Sequence, residues 1–186
     1  MRWSRKGVWL RVFKALVEDS DNEYAMIDST IVRAHQHAAR AKGSSRNECI
    51  GRSRGGLSTK IHALCDAPGN PPAFHLTPGQ ACDLDGADVL LDGIQAGNLI
   101  ADKGYDAIER VIDRLKAAQI RPVIPPKSNR KAPRDHDKAL SKARHLIENL
   151  FEKLKRYRAM ATRYDWYFPA LSSSQLQSSG LIDNTA

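Results

Sequence analysis

The sequence predicts a single α/β domain: a mixed sheet with helices packed on it. Three observations carry that expectation. Residues 24–77 hold apolar segments divided by turn residues, which predicts three strands that begin the sheet antiparallel. From residue 83 onward, amphipathic stretches with a period near 3.6 alternate with short apolar runs, the order expected of βαβαβ. The chain has 186 residues, 41% hydrophobic and 27% charged, enough for one domain with a real core.

Taken in order, residues 1–19 read as a basic amphipathic helix with Trp3, Val8, Trp9, Val12, Phe13, Leu16 and Val17 mostly at helical spacing. Tyr24-Ala25-Met26-Ile27 reads as a strand that stops at Asp28. Residues 33–56 are polar, basic and rich in Gly and Ser, and read as a mobile loop. That loop carries His35 and His37; two histidines without a third ligand nearby favour DNA contact or loop packing over a metal role. Leu57 to Cys65 alternates like a strand. Asp66-Ala67-Pro68-Gly69-Asn70-Pro71-Pro72 is a strong turn, and Ala73 to Thr77 is the returning strand. Residues 83–94 predict a helix, 99–101 a short buried strand ending at Asp102, and 107–118 a second helix. Residues 121–124 form a last strand stopped by Pro125-Pro126, and 127–138 a basic loop. A final helix over 139–158 buries Leu140, Ala143, Ile147, Leu150, Phe151 and Leu154. Beyond Asp165 the Ser/Gln-rich stretch 166–186 reads as a weakly structured tail.

The formal charge is +8 and the isoelectric point about 9.6. Three basic stretches (33–60, 121–138 and 142–163) surround a centre rich in Asp and Glu. That distribution favours a polyanion partner, most often nucleic acid. No apolar run approaches the roughly 18 residues a membrane helix needs. The three cysteines, Cys49, Cys65 and Cys82, lack C-x-x-C spacing; this speaks against a zinc site and fits a reducing cytoplasm.

Two acids stand where short apolar strands end, Asp28 and Asp102, and a third, Glu148, lies on the last helix. Polar groups at strand ends meet solvent while a rigid scaffold holds them. Three converging carboxylates form an all-oxygen site suited to Mg²⁺ or Mn²⁺. Two such ions roughly 4 Å apart can activate a water or 3′-hydroxyl and stabilise the leaving oxygen at phosphorus. At 3.6 residues per turn, Arg144, Glu148 and Lys155 fall within about 40° of one another. Alone, that helix face favours an ordinary i,i+4 salt-bridged surface.

Five blocks, in order, resemble the catalytic core of bacterial insertion-sequence transposases of the DDE type. They are Ile27-Asp28-Ser29-Thr30, Arg52 to His62, Leu76-Thr77-Pro78-Gly79-Gln80, Ala101-Asp102-Lys103-Gly104-Tyr105-Asp106, and Arg144-x-x-x-Glu148 with Lys155 seven residues on. The resemblance implies a ribonuclease-H-like fold over residues 20–165. It implies Asp28, Asp102 and Glu148 as catalytic metal ligands for two Mg²⁺ or Mn²⁺ ions. It implies Arg144 and Lys155 on the phosphates of the element's ends, and it draws Lys103, Arg54 and Lys60 into the DNA-binding set. Double-stranded DNA, a homo-oligomer and a cytoplasmic, nucleoid-associated location follow from the same resemblance.

The chain departs from the family pattern in three places. Ser141 stands where a Tyr is common. Only residues 1–19 could remain of an upstream DNA-binding region. The tail replaces a further apolar helix, as a frameshifted or truncated frame would. One other reading stays open, a truncated, non-catalytic fragment that binds DNA or the full-length enzyme; the Asp102-Lys103-Gly104-Tyr105 and Arg144-x-x-x-Glu148 blocks argue against a third, an unrelated ribonuclease-H-like nuclease.

Overall fold

The structure is a computed structural model that describes residues 21–33, 49–130 and 134–156. The expected N-terminal helix, the His35/His37 pair and the tail lie outside the described residues. Six strands form one sheet: β1 Tyr24–Arg33, β2 Gly51–Ser53, β3 Gly56–Cys65, β4 Ala73–Pro78, β5 Asn98–Ile100 and β6 Arg121–Val123. β3 pairs antiparallel with β1 along one side, and with β4 and then β2 along the other. β5 pairs parallel with β1, and β6 parallel with β5. The sheet is therefore mixed, antiparallel through β1, β3, β4 and the short β2 and parallel through β1, β5 and β6, the mixed order the sequence predicts.

Side-chain alternation sorts the core into two layers. Ala25 and Ile27 of β1, Leu99 of β5 and Leu64 of β3 face one side. They pack beneath helix α1 (Asp83–Leu90), the turn Ile108–Ile112 and helix α2 (Asp113–Ala117). Met26, Ile61, Ala63, Ile100 and Val123 face the other side, where Ile147 and Phe151 of the last helix cover them. That helix is built from α3 (Lys138–Ser141), a tighter turn at Lys142–Arg144 and α4 (His145–Arg156). Asp137 caps its start, Oδ1 accepting from the Ala139 and Leu140 amides.

Four expectations change. β1 does not stop at Asp28 but runs on to Arg33, because β3 continues beside it as far as the Arg33–Ser58 pair. The stretch 33–56 is not wholly a loop, since Gly51–Ser53 adds to β3 as a short strand. α1 ends at Leu90 rather than 94, and Gly93 then turns the chain with φ 68°. The segment 107–118 opens as a wide π turn, both Val111 and Ile112 amides donating to the Ala107 carbonyl. That extra width lets Val111 and Ile112, adjacent in sequence, both enter the core at no more than 1% exposure.

Candidate active site

Asp28 and Asp102 are brought together by strand register. Met26 pairs with Ile100 in the parallel ladder, and each acid lies two residues beyond its member of that pair. Both therefore point to the face that Met26 and Ile100 share, the one α4 covers. β5 has ended by then, so past Met26 the β1 backbone has no strand on that side. There the Ser29 N–H donates to Asp28 Oδ1 at 2.8 Å. Asp102 caps the 3₁₀ turn Lys103–Tyr105, its Oδ1 accepting from the Gly104 N–H at 2.7 Å. A Cβ on Gly104 would stand 2.8 Å from that oxygen, so any larger residue there would push the Asp102 carboxylate from its present position.

Helix α4 adds the third acid. Ile147 and Phe151 anchor it in the core, which sets Arg144 and Glu148 at the rim. Arg144 bridges the site: Nη1 stands 3.5 Å from Asp28 Oδ2 and Nη2 2.5 Å from Glu148 Oε1. Asp28 is largely buried, whereas the Glu148 side chain is about half exposed (49%). Burial pushes the Asp28 carboxyl up to about 6. The Ser29 amide and Arg144 oppose that rise, and the charges on Asp102 and Glu148 add to it. The three acids thus share one electrostatic neighbourhood. Among the described residues, no three His, Cys, Asp or Glu side chains stand close enough to close on one ion. The Arg144 guanidinium lies between Asp28 and Glu148.

The remaining expected residues are placed unevenly. Lys103, Lys155 and Arg54 are exposed. Lys60 is 9% exposed and lies on the opposite face of β3, under α1. Its ammonium donates to the Ala81 carbonyl at 2.5 Å and to Asp83 Oδ1 at 2.8 Å, so it is engaged inside the protein rather than offered to a DNA backbone. Strand parity decides this: Ile61 faces α4, so Lys60 must face α1. The acid-rich centre is divided in the same way. Asp85 and Asp88 pair with Arg110, Asp83 with Lys60, and Asp106 with Arg130 and Arg134. Asp102 alone among these acids faces Asp28.

Two residues of the Asp102 block do more than the sequence reading assigned. Tyr105 is 1% exposed and lies behind the acids; its hydroxyl is raised above the ordinary range by burial first, then by Asp83, Asp28 and Asp102. It packs in the core layer beneath α1. Asp106 is buried as a counter-ion to the basic segment after β6. The only sequence signal for it was an acid directly after Gly-Tyr, facing a run of cations some twenty residues on.

A family model described as "Transposase DDE domain" matches residues 20–166. The chain belongs to the transposase DDE domain family. It is 43% identical over 112 residues to a protein of Brucella ovis named as a transposase for insertion sequence element IS6501, covering 58% of this chain and 83% of that one. A protein of Sinorhizobium fredii designated y4sN is 56% identical over 45 residues, 23% of this chain and 36% of its own length. Among solved structures, the Mos1 strand transfer complex is similar at 14% identity and TM-score 0.44, over 98% of this chain and 54% of the Mos1 chain. The chain thus spans little more than half the length of that Mos1 protein.

Proposed function

We propose that this DDE-family chain catalyses divalent-metal-dependent cleavage and strand transfer of DNA at the ends of an insertion sequence. The observation that carries the reading is the register that sets Asp28 beside Asp102 with the Arg144–Glu148 turn of the last helix above them. The donor chemistry fits hard divalent ions. Asp28 is desolvated, the charges of Asp102 and Glu148 act on it, and Arg144 is the cation between Asp28 and Glu148. Asp28, Asp102 and Glu148 are the residues that would hold two Mg²⁺ or Mn²⁺. Bound there, the ions would activate a water or 3′-hydroxyl and neutralise charge on the leaving oxygen.

The chain's own residues supply the rest. Gly104 fixes the orientation of Asp102 through its amide. Arg144 and Lys155, nearly in line along the last helix, grip phosphate oxygens of the element's end. Lys103 and Arg54, both exposed, extend that contact. Residues 20–165 act as the catalytic domain, joined to DNA-binding and assembly functions outside them, on double-stranded DNA and as a homo-oligomer in the bacterial nucleoid. No helix among the described residues is long and apolar enough to cross a membrane.

The test is a strand-cleavage and strand-transfer assay on the element's terminal DNA with Mg²⁺ or Mn²⁺. Asp28→Asn, Asp102→Asn and Glu148→Gln should each abolish product while leaving DNA binding in place. Full activity in any of the three overturns the site. DNA binding without strand transfer by the unsubstituted chain supports the non-catalytic fragment instead.

A further inference from the structure

A cavity of about 630 Å³ lies apart from the acidic centre, against the π turn and α2. Its floor is apolar, Ile108 and Ile112, and Ile108 is 49% exposed, one of two large hydrophobic residues so open among the described residues. Its rim is cationic: Lys116, Lys127, Arg130 and Arg134. Asp113 is the carboxylate among the lining residues.

The rim is held in place from below. The Asp106 side chain has no solvent exposure (0%) and sits at the hub of a clasp. It accepts from Arg130 Nε at 2.6 Å and Nη2 at 2.9 Å, from the Lys127 N–H at 2.9 Å, and from Arg134 Nη2. Against the upward push of burial, the Arg130, Lys127 and Arg134 donors hold this carboxyl well below the usual range. Both arginines keep an exposed surface, 21% and 27%. A buried carboxylate is costly unless it is fully paired. Here it fixes two guanidiniums and the backbone after β6 in one arrangement. Even counting Asp106 and Asp113, the cations around the cavity outnumber the acids by two.

An apolar floor under a fixed cationic rim offers a nucleotide an aliphatic surface for the base to pack on and donors for the phosphate. The position is also suited. β5 leads to Asp102 and the parallel β6 leads to Lys127, so cavity and acids lie at the same end of the sheet, the cavity on the α1–α2 face and the acids on the α4 face, with Asp106 four residues beyond Asp102. We propose that this cavity is a second DNA contact that takes an unpaired nucleotide of the strand leaving the acidic centre. The proposal rests on the transposase reading above, and the experiment separates the two.

The probe is a labelled mixed-sequence duplex with a single-stranded overhang, beside its blunt counterpart, bound by the full chain across a salt series. Lys127 enters the clasp through its backbone amide and Lys116 takes no part in it, so the Lys116→Ala/Lys127→Ala variant leaves the clasp intact. It should lower the salt slope for the overhang probe by about 1.4, that is about 0.7 for each single-strand phosphate lost. A photo-crosslinker, Ile108→p-benzoylphenylalanine, should label the overhang. The same group at Arg121, at the opposite end of β6, should not. An unchanged slope, no crosslink from position 108, or a crosslink there to a second protein copy overturns the cavity as a DNA contact, even with the duplex still bound. Failure of the unsubstituted chain to bind either probe overturns the functional reading, and this proposal with it.

Discussion

Asp28→Asn should stabilise the metal-free protein at neutral pH while destroying the proposed chemistry. Burial raises the Asp28 carboxyl from 3.8 to about 6 in the folded chain. Between those values the native state keeps a proton that the unfolded state has lost. Stability therefore falls as pH rises through the window, and the loss is complete near pH 7. At 1.36 kcal/mol per pH unit, the ionised Asp28 costs up to about 3 kcal/mol. The stabilising effects of Arg144 and the Ser29 amide are already included in that shift. Asparagine has no charge to desolvate, so the variant should melt about 6–12 °C higher at pH 7.5, at 2–4 °C per kcal/mol for a chain of this size. Thermal melts in EDTA from pH 4 to 8 read this directly. The two curves should converge near pH 4 and part above pH 6, and added Mg²⁺ should raise the unsubstituted protein but not the variant. Equal melting temperatures at pH 7.5, or a gap that persists into acid, would refute the reasoning.

Three further outcomes are expected. His62 is buried, its Nε2 2.8 Å from Thr77 Oγ1; burial first, then His75 and Lys60, lower it from 6.5 to about 4. Stability should drop as pH falls through that range by up to about 3 kcal/mol, opposite in sign to Asp28. The acid loss should thus steepen in Asp28→Asn and flatten again when His62→Gln is added; an unchanged slope overturns the assignment. Gly86→Ala would place a Cβ 2.2 Å from the His62 ring, an overpacking that should cost about 1–3 kcal/mol in urea denaturation despite alanine's better helix propensity. A variant as stable as the parent would show that α1 moves freely off the sheet. Asp106→Asn should leave Arg130 and Arg134 without a charged partner, and limited trypsin digestion should then cut after Lys127 and Arg130 several-fold faster. An unchanged digestion rate would show that other contacts hold the segment.

The element order and the mixed sheet were legible in the sequence because both rest on local signals: alternation in Leu57–Cys65, turn residues at 66–72, and helical spacing after residue 83. The corrected boundaries lie where a non-local partner decided. β1 runs past Asp28 because β3 pairs with it to Arg33. The π turn forms because Val111 and Ile112 both fit the core. Charge patterning located the basic segments but not their use. Lys60 and Asp83, Arg110 and Asp88, and Arg130 and Asp106 lie 22 to 24 residues apart and meet only once the sheet is folded.

The residues alone determined that acids follow two apolar strands and that a third stands on a helix face with cations in step. They also determined that Gly104 follows Asp102 closely enough for its amide to bind that carboxylate. Only the tertiary structure decided which acids meet. Parallel register between β1 and β5 sets Asp28 beside Asp102, and strand parity turns Lys60 away from them. Register and parity are relations between segments, and a one-residue slip in either would exchange the faces while leaving every local pattern in the sequence intact.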